Sequence, residues 1–479
     1  MSIREDLTKG VIWIAIAKYS GIVIQLIISA ILARLIAPSA FGTVTIAIVL
    51  LAFMNILADI GIGPAVIQYK QLTKSNLNSL FTLTFYLGII LSVLLIATSG
   101  FISSYYEDPV LKSVCQIMSL VVFFNSLNVV PNALMRKDKR FRTIAYRTLF
   151  MQVSSGILAA WGALNGWGVY ALLISPVLTS IGVFAINYYN YPLKYIVYIG
   201  KDALSMISSF SIYQFSFSFI NYFSRNLDKL IIGRHISMEA LGYYDKSYHL
   251  MMLPLQNVTY VLEPVLHPIL STLQNNKHEL KEKNQKLAII ISRISFPIGI
   301  LLYFCANEII HIVYGDQWDT AVPIFRILSL SLPLQMILST SGSIYQAAGH
   351  TDHMFYNGIM NTSITVSGFL IAAFCFGTIE SMAWAWDITL VILFCLSYEI
   401  LHRFTLRESS FAFFQSFFPQ IANSVIVFVL VTILFKFIPI NNTIVSLFCK
   451  TLTICAFTSL LAILLGQYNI FLIVKKHIR

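Results

Sequence analysis

Apolar runs of membrane-spanning length recur along the whole chain, separated by short polar breaks. At roughly 20 residues per span, the pattern predicts fourteen helices, at about 10–33, 43–66, 78–100, 111–133, 143–163, 167–189, 206–232, 244–268, 287–306, 321–346, 354–376, 380–401, 411–437 and 446–472. The expected fold class is therefore an all-α polytopic membrane protein. The seventh run is the most polar of the set. The breaks leave no room for a folded domain outside the membrane: the longest on the outer side, about Asn307 to Thr320, has some fourteen residues. The first apolar run continues past Ile31 and lacks a small-residue cleavage site, so no signal peptide is expected.

Composition agrees, with 57% hydrophobic and 11% charged residues where soluble domains carry about 25% charge. The net charge of +11 would suit a nucleic-acid partner, but its placement does not. With the N-terminus inside, the inner loops and both termini hold 21 of the 32 basic residues, including Lys70, Lys74, Arg136, Lys137, Arg147, Lys277, Lys281, Arg403 and Lys475. That asymmetry predicts both ends in the cytoplasm, with basic loops beside anionic lipid headgroups and no nucleic-acid partner. The six cysteines lie in apolar stretches without metal spacing, so neither a disulfide framework nor a metal site is expected.

The chain also echoes itself at a spacing of 200. ARLIAPSAFG (33–42) aligns with GRHISMEALG (233–242), pairing Arg34 with Arg234, Ile36 with Ile236, Ala40 with Ala240 and Gly42 with Gly242. Without a gap, Leu50 then meets Leu250 and Pro64 meets Pro264. A weaker echo joins SSGILAA (154–160) to VSGFLIA (366–372). Helices 1–6 and 7–12 thus read as two copies of one unit. Six is even, so both copies enter the membrane in the same direction, as in parallel-repeat transporters with a substrate site between the halves. The expected organisation is an N-terminal lobe over 1–200, a C-terminal lobe over 201–405, and two additional helices over 406–479.

The repeat focuses attention on FSRNLDKLIIGR (223–234). A charge near mid-bilayer costs about 3 kcal/mol on insertion scales, yet Arg225, Asp228 and Lys229 crowd into one helix. Ser211, Gln214, Ser218, Asn221, Arg225 and Asp228 recur at steps of three and four, which is one helical face. The equivalent face of helix 1 carries Lys18, Gly21 and Gln25. Such stripes line a water-filled cavity or a tight helix interface. The plainer alternative pairs Asp228 with a cation one turn away and lets Lys229 snorkel to the interface.

LARLIAPSAFG, ADIGIGPAVIQ (58–68), GWGVYAL (166–172), RNLDKLIIGR and ALGYYDKSYHLMMLP (240–254) together resemble the bacterial oligosaccharide flippases. These form the polysaccharide transporter branch of the multidrug/oligosaccharidyl-lipid/polysaccharide exporter superfamily, which includes O-antigen, colanic acid and teichuronic acid exporters. The resemblance implies two six-helix lobes around a central cavity. It also implies alternating access and, as substrate, a polyprenyl-diphosphate-linked sugar repeat unit carried from the inner to the outer leaflet of the bacterial cytoplasmic membrane. A polysaccharide polymerase and a chain-length regulator are the partners such a role implies. On that reading Lys18 and Arg225 meet the diphosphate, Arg as a bidentate fork and Lys as a point charge. Gln25, Gln214, Ser218, Asn221, Asp228 and Lys229 share the cavity, with Tyr213 and Tyr222 as faces for sugar rings.

Asp59, Glu263 and Asp387 are candidates for a coupling Na+ or H+; Asp59 and Glu263 equally suit a helix cap or an inner-loop lysine. Arg326 is a further intramembrane candidate. HTDH (350–353) mimics a metal cluster but falls in a short cytoplasmic turn, and GIGP (61–64) reads as a helix terminus. Two rivals remain. A repeat-unit polymerase would be an enzyme, but no nucleophile, base and orienting group stand at suitable spacing, and the large periplasmic loop of those families is missing. A cation-coupled small-molecule exporter of the same superfamily would share the fold, usually with twelve helices. Neighbouring glycosyltransferase genes would favour the flippase.

Overall fold

The computed structural model describes residues 3–196, 215, 219, 222, 225–259, 266, 270–274, 276–438, 440 and 442–464, the side chains of 3–17 and 351 excepted. Ser211, Tyr213, Gln214, Ser218, Asn221 and Glu263 lie outside the described residues. No strand occurs among the described residues, and the chain folds as two compact units, Met1–Gly242 and Tyr243–Arg479.

The first unit contains α1 (Ile3–Leu35), α2 (Pro38–Asp59), α3 (Ile62–Gln68), α4 (Lys74–Tyr106), α5 (Pro109–Lys137), α6 (Phe141–Leu164) and α7 (Val169–Asn190), followed by helical residues 225–235. α5 is the hub: it packs on α2, α3, α4 and α7, while α6 packs on α1 and α7. Local chemistry sets the ends. Thr73 Oγ1 accepts from Asn76 N, and Asp108 Oδ1 accepts from Val110 N beside a proline at the first helical position. These caps satisfy amides that the first turn leaves without partners. GIGP is a helix terminus as expected: Ile60 and Gly61 take φ of 39° and 75°, left-handed values that end α2 before α3 begins.

The second unit continues α8 (Met238–Pro254), which starts in the first, and adds α9 (Lys277–Phe304), α10 (Ala306–Val313), α11 (Ala321–Leu338), α12 (Ser341–Ala347), α13 (Thr351–Ile371), α14 (Ile379–Ile400), α15 (Phe411–Gln415), α16 (Phe418–Phe437) and α17 (Thr443–Leu464). α9 packs on α11, α16 and α17, and α14 on α11 and α13.

Eleven stretches of the described residues are helical, long and apolar enough to cross a membrane. They coincide with expected spans one to four, six, and nine to fourteen. The fifth is present as α6, made less apolar by Arg147, Gln152, Ser154 and Ser155. The eighth changes character at Pro254, where the α-helix gives way to a π turn over Leu255–Thr259. The seventh lies mostly outside the described residues. The protein is multi-pass and, among the described residues, built of helices without strands, with eleven of the fourteen expected spans long and apolar enough to cross and a twelfth present as the more polar α6.

Burial runs opposite to that of a soluble domain. Phe101, Phe437 and Leu464 are at least 70% exposed, while Thr82, Thr84, Ser126, Ser155 and Asn187 are fully buried. Large apolar side chains facing lipid lose nothing. Small polar ones let helices approach and spend their hydroxyls on the preceding turn, as Thr84 does on Phe81 O and Ser126 on Val122 O.

The expected outer loop at about 307–320 is not open coil. ANEIIHIV forms α10, a 3-10 turn follows at Asp316–Trp318, and Tyr314 and Trp318 are fully buried. Its apolar residues recur at helical spacing, and burying them against the second unit outweighs the cost of ordering the segment.

Candidate functional site

A polar chamber opens within the first unit. Asn125, Asn128, Asn132 and Arg136 step along one face of α5 at intervals of three and four, and Asn55 and Asp59 face them from α2. Together with Gly63 and Pro64 of α3 they line a cavity of about 330 Å³. Asn125 Nδ2 donates to Asn55 Oδ1 at 3.3 Å, Asn187 Nδ2 to Asn128 Oδ1 at 2.6 Å, and the Arg147 guanidinium to Asn132 Oδ1 at 2.8 Å. Asp59 Oδ1 accepts from Gly63 N at 2.7 Å. The carbonyls of Asn55, Asn128 and Asn132 are thus engaged, while their NH2 groups make no hydrogen bond among the described residues. With the Arg136 guanidinium and the second Asp59 oxygen, they can bind a ligand rich in hydroxyl or phosphoryl oxygen.

Of these residues only Asp59 was expected from sequence. The signal lay in FNSLNVVPNALMR (124–136), an asparagine stripe at helical spacing ending in arginine. Arg147, counted there as an inner-loop cation, is instead 7% exposed inside α6 and bonded to Asn132.

The expected cavity residues are distributed as follows. Lys18 is half-buried on α1 and has a partner; Gln25, seven residues on, is exposed. Between them Gly21 O accepts from Gln152 Nε2 of α6 at 2.8 Å. Arg225 is exposed and makes no hydrogen bond or ion pair among the described residues. Asp228 is buried and Lys229 half-buried, each with a partner. Tyr222 is buried: its hydroxyl donates to Val49 O at 2.7 Å and its ring packs against Phe53. It holds its helix to α2 and has no face left for a sugar.

In the second unit Asp387 of α14 is 6% exposed, and neither carboxylate oxygen has a hydrogen-bond partner among the described residues. A carboxylate so placed in a membrane helix needs a proton or a cation to stay. Arg326 of α11 is exposed. His350, Asp352 and His353 bring ligand atoms within 4.8 Å of one another, but His350 Nε2 also lies 3.4 Å from Lys277 Nζ, a cation that competes with any metal there.

A family model described as polysaccharide biosynthesis protein matches residues 31–323. The chain is 26% identical over 419 residues to the teichuronic acid biosynthesis protein TuaB of Bacillus subtilis (strain 168), covering 87% of this chain and 86% of that one. It is 25% identical over 388 residues to the lipopolysaccharide biosynthesis protein WzxC of Escherichia coli (strain K12), covering 79% and 77%. Among solved structures, the lipid II flippase MurJ in an inward closed conformation superposes with a TM-score of 0.74 at 15% identity, over 94% of this chain and 99% of that one. That likeness establishes the fold.

Proposed function

The chain belongs to the polysaccharide biosynthesis protein family, and from that membership we propose that it is a flippase rather than an enzyme. Its cargo is a polyprenyl-diphosphate-linked oligosaccharide repeat unit, moved from the inner to the outer leaflet by alternating access. The names of its relatives point to teichuronic acid and lipopolysaccharide biosynthesis, and its fold neighbour's to lipid II. The observation that carries the reading is the amide-lined chamber of the first unit. Four asparagines, a carboxylate and a guanidinium cluster in a chain that is otherwise strongly apolar. Such a set exchanges hydrogen bonds with vicinal hydroxyls and phosphoryl oxygens, and it offers nothing to an apolar drug.

Arg225 and Lys18 serve the diphosphate at successive stages of transport. Gln25 lies with them on the path, as do Gln214, Ser218 and Asn221 by sequence position. Asp387 carries the coupling Na+ or H+. The protein sits in the bacterial cytoplasmic membrane with both termini inside, delivering to a polymerase and chain-length regulator on the outer face.

Deletion tests this directly. Lipid-linked repeat units should accumulate on the cytoplasmic leaflet, measured by their protection from an impermeant glycosidase in right-side-out vesicles. Delivery to the outer leaflet at the wild-type rate would sink the proposal.

A further inference from the structure

The second unit contains a polar cavity and an apolar one that share a wall. The polar cavity, about 220 Å³, lies between α9, α16 and α17 and is lined by Ser292, Arg293, Asn423, Ser424, Thr458 and Ser459. The apolar one, about 250 Å³, lies between α9, α11 and α16, with Gly299, Ile300, Leu330, Val425 and Val429. Phe296 and Ser424 belong to both. On α9 the sequence runs from Arg293 in the polar cavity to Ile300 in the apolar one, roughly 10 Å along the helix. On α16 it runs the same way, from Asn423 to Val429. Both helices therefore pass from a polar end to an apolar end, starting from the side of α9 that carries Lys277, Lys281, Lys283 and Lys286. Positive residues mark that side as cytoplasmic.

A polar pocket leading toward mid-membrane into an apolar cleft has the shape of one ligand class, a lipid of the inner leaflet with its head at Arg293. We propose that this cleft holds a resident acidic glycerophospholipid whose headgroup carries hydroxyls, of the phosphatidylglycerol type. Arg293 takes the phosphodiester, with Ser424 and Ser459 beside it. Asn423 selects the headgroup: it is 8% exposed, its Nδ2 donates to Thr458 O at 3.3 Å, and its Oδ1 is buried with no hydrogen-bond partner among the described residues. That acceptor needs a donor, which a glycerol hydroxyl supplies and a choline group does not. The bound lipid would brace the C-terminal helix pair, α16 and α17, against α9. The inference does not depend on what the protein transports.

Cys455 also lines the polar cavity and is a built-in reporter. Full-length protein in detergent is alkylated with N-ethylmaleimide, and Cys455 modification is followed by peptide mass mapping. Three lipids are titrated: phosphatidylglycerol, phosphatidylcholine and undecaprenyl phosphate. Phosphatidylglycerol should slow Cys455 alkylation several-fold and outcompete the other two. Arg293→Gln should weaken that protection about ten-fold, the effect of losing one charge-assisted bond, and Arg293→Lys should weaken it less. Equal protection by phosphatidylcholine would overturn the anion site. Stronger protection by undecaprenyl phosphate would overturn the assignment to a bulk lipid, and unchanged protection in Arg293→Gln would overturn the role of Arg293. The wild-type titrations decide the question even if a variant fails to fold.

Discussion

Gly42 and Gly242, 200 positions apart in the chain, occupy reciprocal places. A Cβ on Gly42 would lie 1.7 Å from the Met238 carbonyl oxygen, and one on Gly242 would lie 2.1 Å from the Pro38 carbonyl oxygen. Pro38 and Met238 are themselves 200 apart. The shift that aligns the two repeats thus maps one contact onto the other, so the first turns of α2 and α8 meet as a local two-fold pair. No side chain larger than hydrogen fits at either position.

Gly42→Ala and Gly242→Ala should therefore each destabilise the protein, because the obstacle is backbone and cannot rotate away. Overpacking of this kind costs about 1–3 kcal/mol, read as a lower midpoint of thermal unfolding in detergent. Gly100→Ala is the control: nothing lies within 4 Å of its added carbon, and alanine favours a helix by up to about 1 kcal/mol. A midpoint for Gly42→Ala equal to that of Gly100→Ala would contradict the close contact.

Glu308 of α10, which is buried, and Lys450 of α17, which is half-buried, pair at 2.5 Å, with Ser446 Oγ donating to the same carboxylate oxygen at 2.6 Å. Burial alone would raise the Glu308 pKa, but these donors outweigh it and hold the carboxyl below its usual range. Its contribution is present above the ordinary carboxylate pKa and lost as pH falls through the lowered one. Glu308→Gln leaves the half-buried Lys450 ammonium with only the Phe304 carbonyl, 3.1 Å away, and should cost about 1.5–3 kcal/mol, the loss of a charge-assisted bond. Glu308→Gln with Lys450→Met removes both charges and should recover most of that. If the double variant unfolds no later than the single one, the pair is not what fixes α17 to α10.

His311 predicts a second pH dependence, of opposite sign. Its Nδ1 lies 2.7 Å from Asn307 O and its Nε2 2.5 Å from an Asp319 carboxylate oxygen. Both nitrogens face acceptors, so only the imidazolium satisfies them. Burial pushes the pKa down, but the Asn307 carbonyl and the carboxylates of Asp319 and Asp316 raise it above the ordinary histidine value. The contribution is full below about pH 6.5 and lost as pH rises through the elevated pKa. Unfolding midpoints should therefore fall between neutral and mildly alkaline pH, and His311→Gln should flatten that slope. An identical slope in the variant would assign it to other groups.

The chamber gives a cleaner separation of fold from transport. Asn55 and Asn125 are bonded to each other at 3.3 Å, so replacing both with leucine leaves neither without its partner, a change that is often near neutral for stability. The double variant should reach normal abundance but export repeat units several-fold more slowly, as followed by surface polysaccharide per cell. Normal export at normal abundance would remove this end of the chamber from the transport path.

How much of this was legible in the sequence depended on the signal. Eleven spans followed from apolar length, and the 200-residue repeat pointed to the Gly42 and Gly242 positions before any contact was known. α10 was missed because it is too short to register as a span, and the chamber because three asparagines in α5 and one in α2 add no charge. Arg147 was misplaced because a cation near a helix start looks like a loop cation. Only its contact with Asn132 shows that it faces inward. Tyr222 was read as a sugar platform from residue type alone, and packing against Phe53 and Val49 overrules that.

Arg225 poses the sharpest choice. Its spacing from Asp228 permits an ion pair one turn apart, yet Arg225 is exposed and makes no such pair among the described residues, while Asp228 is buried and has a partner. A guanidinium kept in a membrane helix without a carboxylate of its own suits an anion that arrives from elsewhere, here the diphosphate. Losing a charge-assisted bond to phosphate costs about 1.5–3 kcal/mol, a ten- to hundred-fold effect on affinity. Arg225→Ala should therefore cut export by that order while abundance stays near wild type. Arg225→Lys should restore part of it, since the charge returns without the bidentate fork. If Arg225 instead balances Asp228, Arg225→Ala would leave a buried carboxylate uncompensated and lower abundance, and Arg225→Ala with Asp228→Ala would regain full export. Immunoblots and surface polysaccharide from the same cells separate the two, and full export by the double variant would end the diphosphate role.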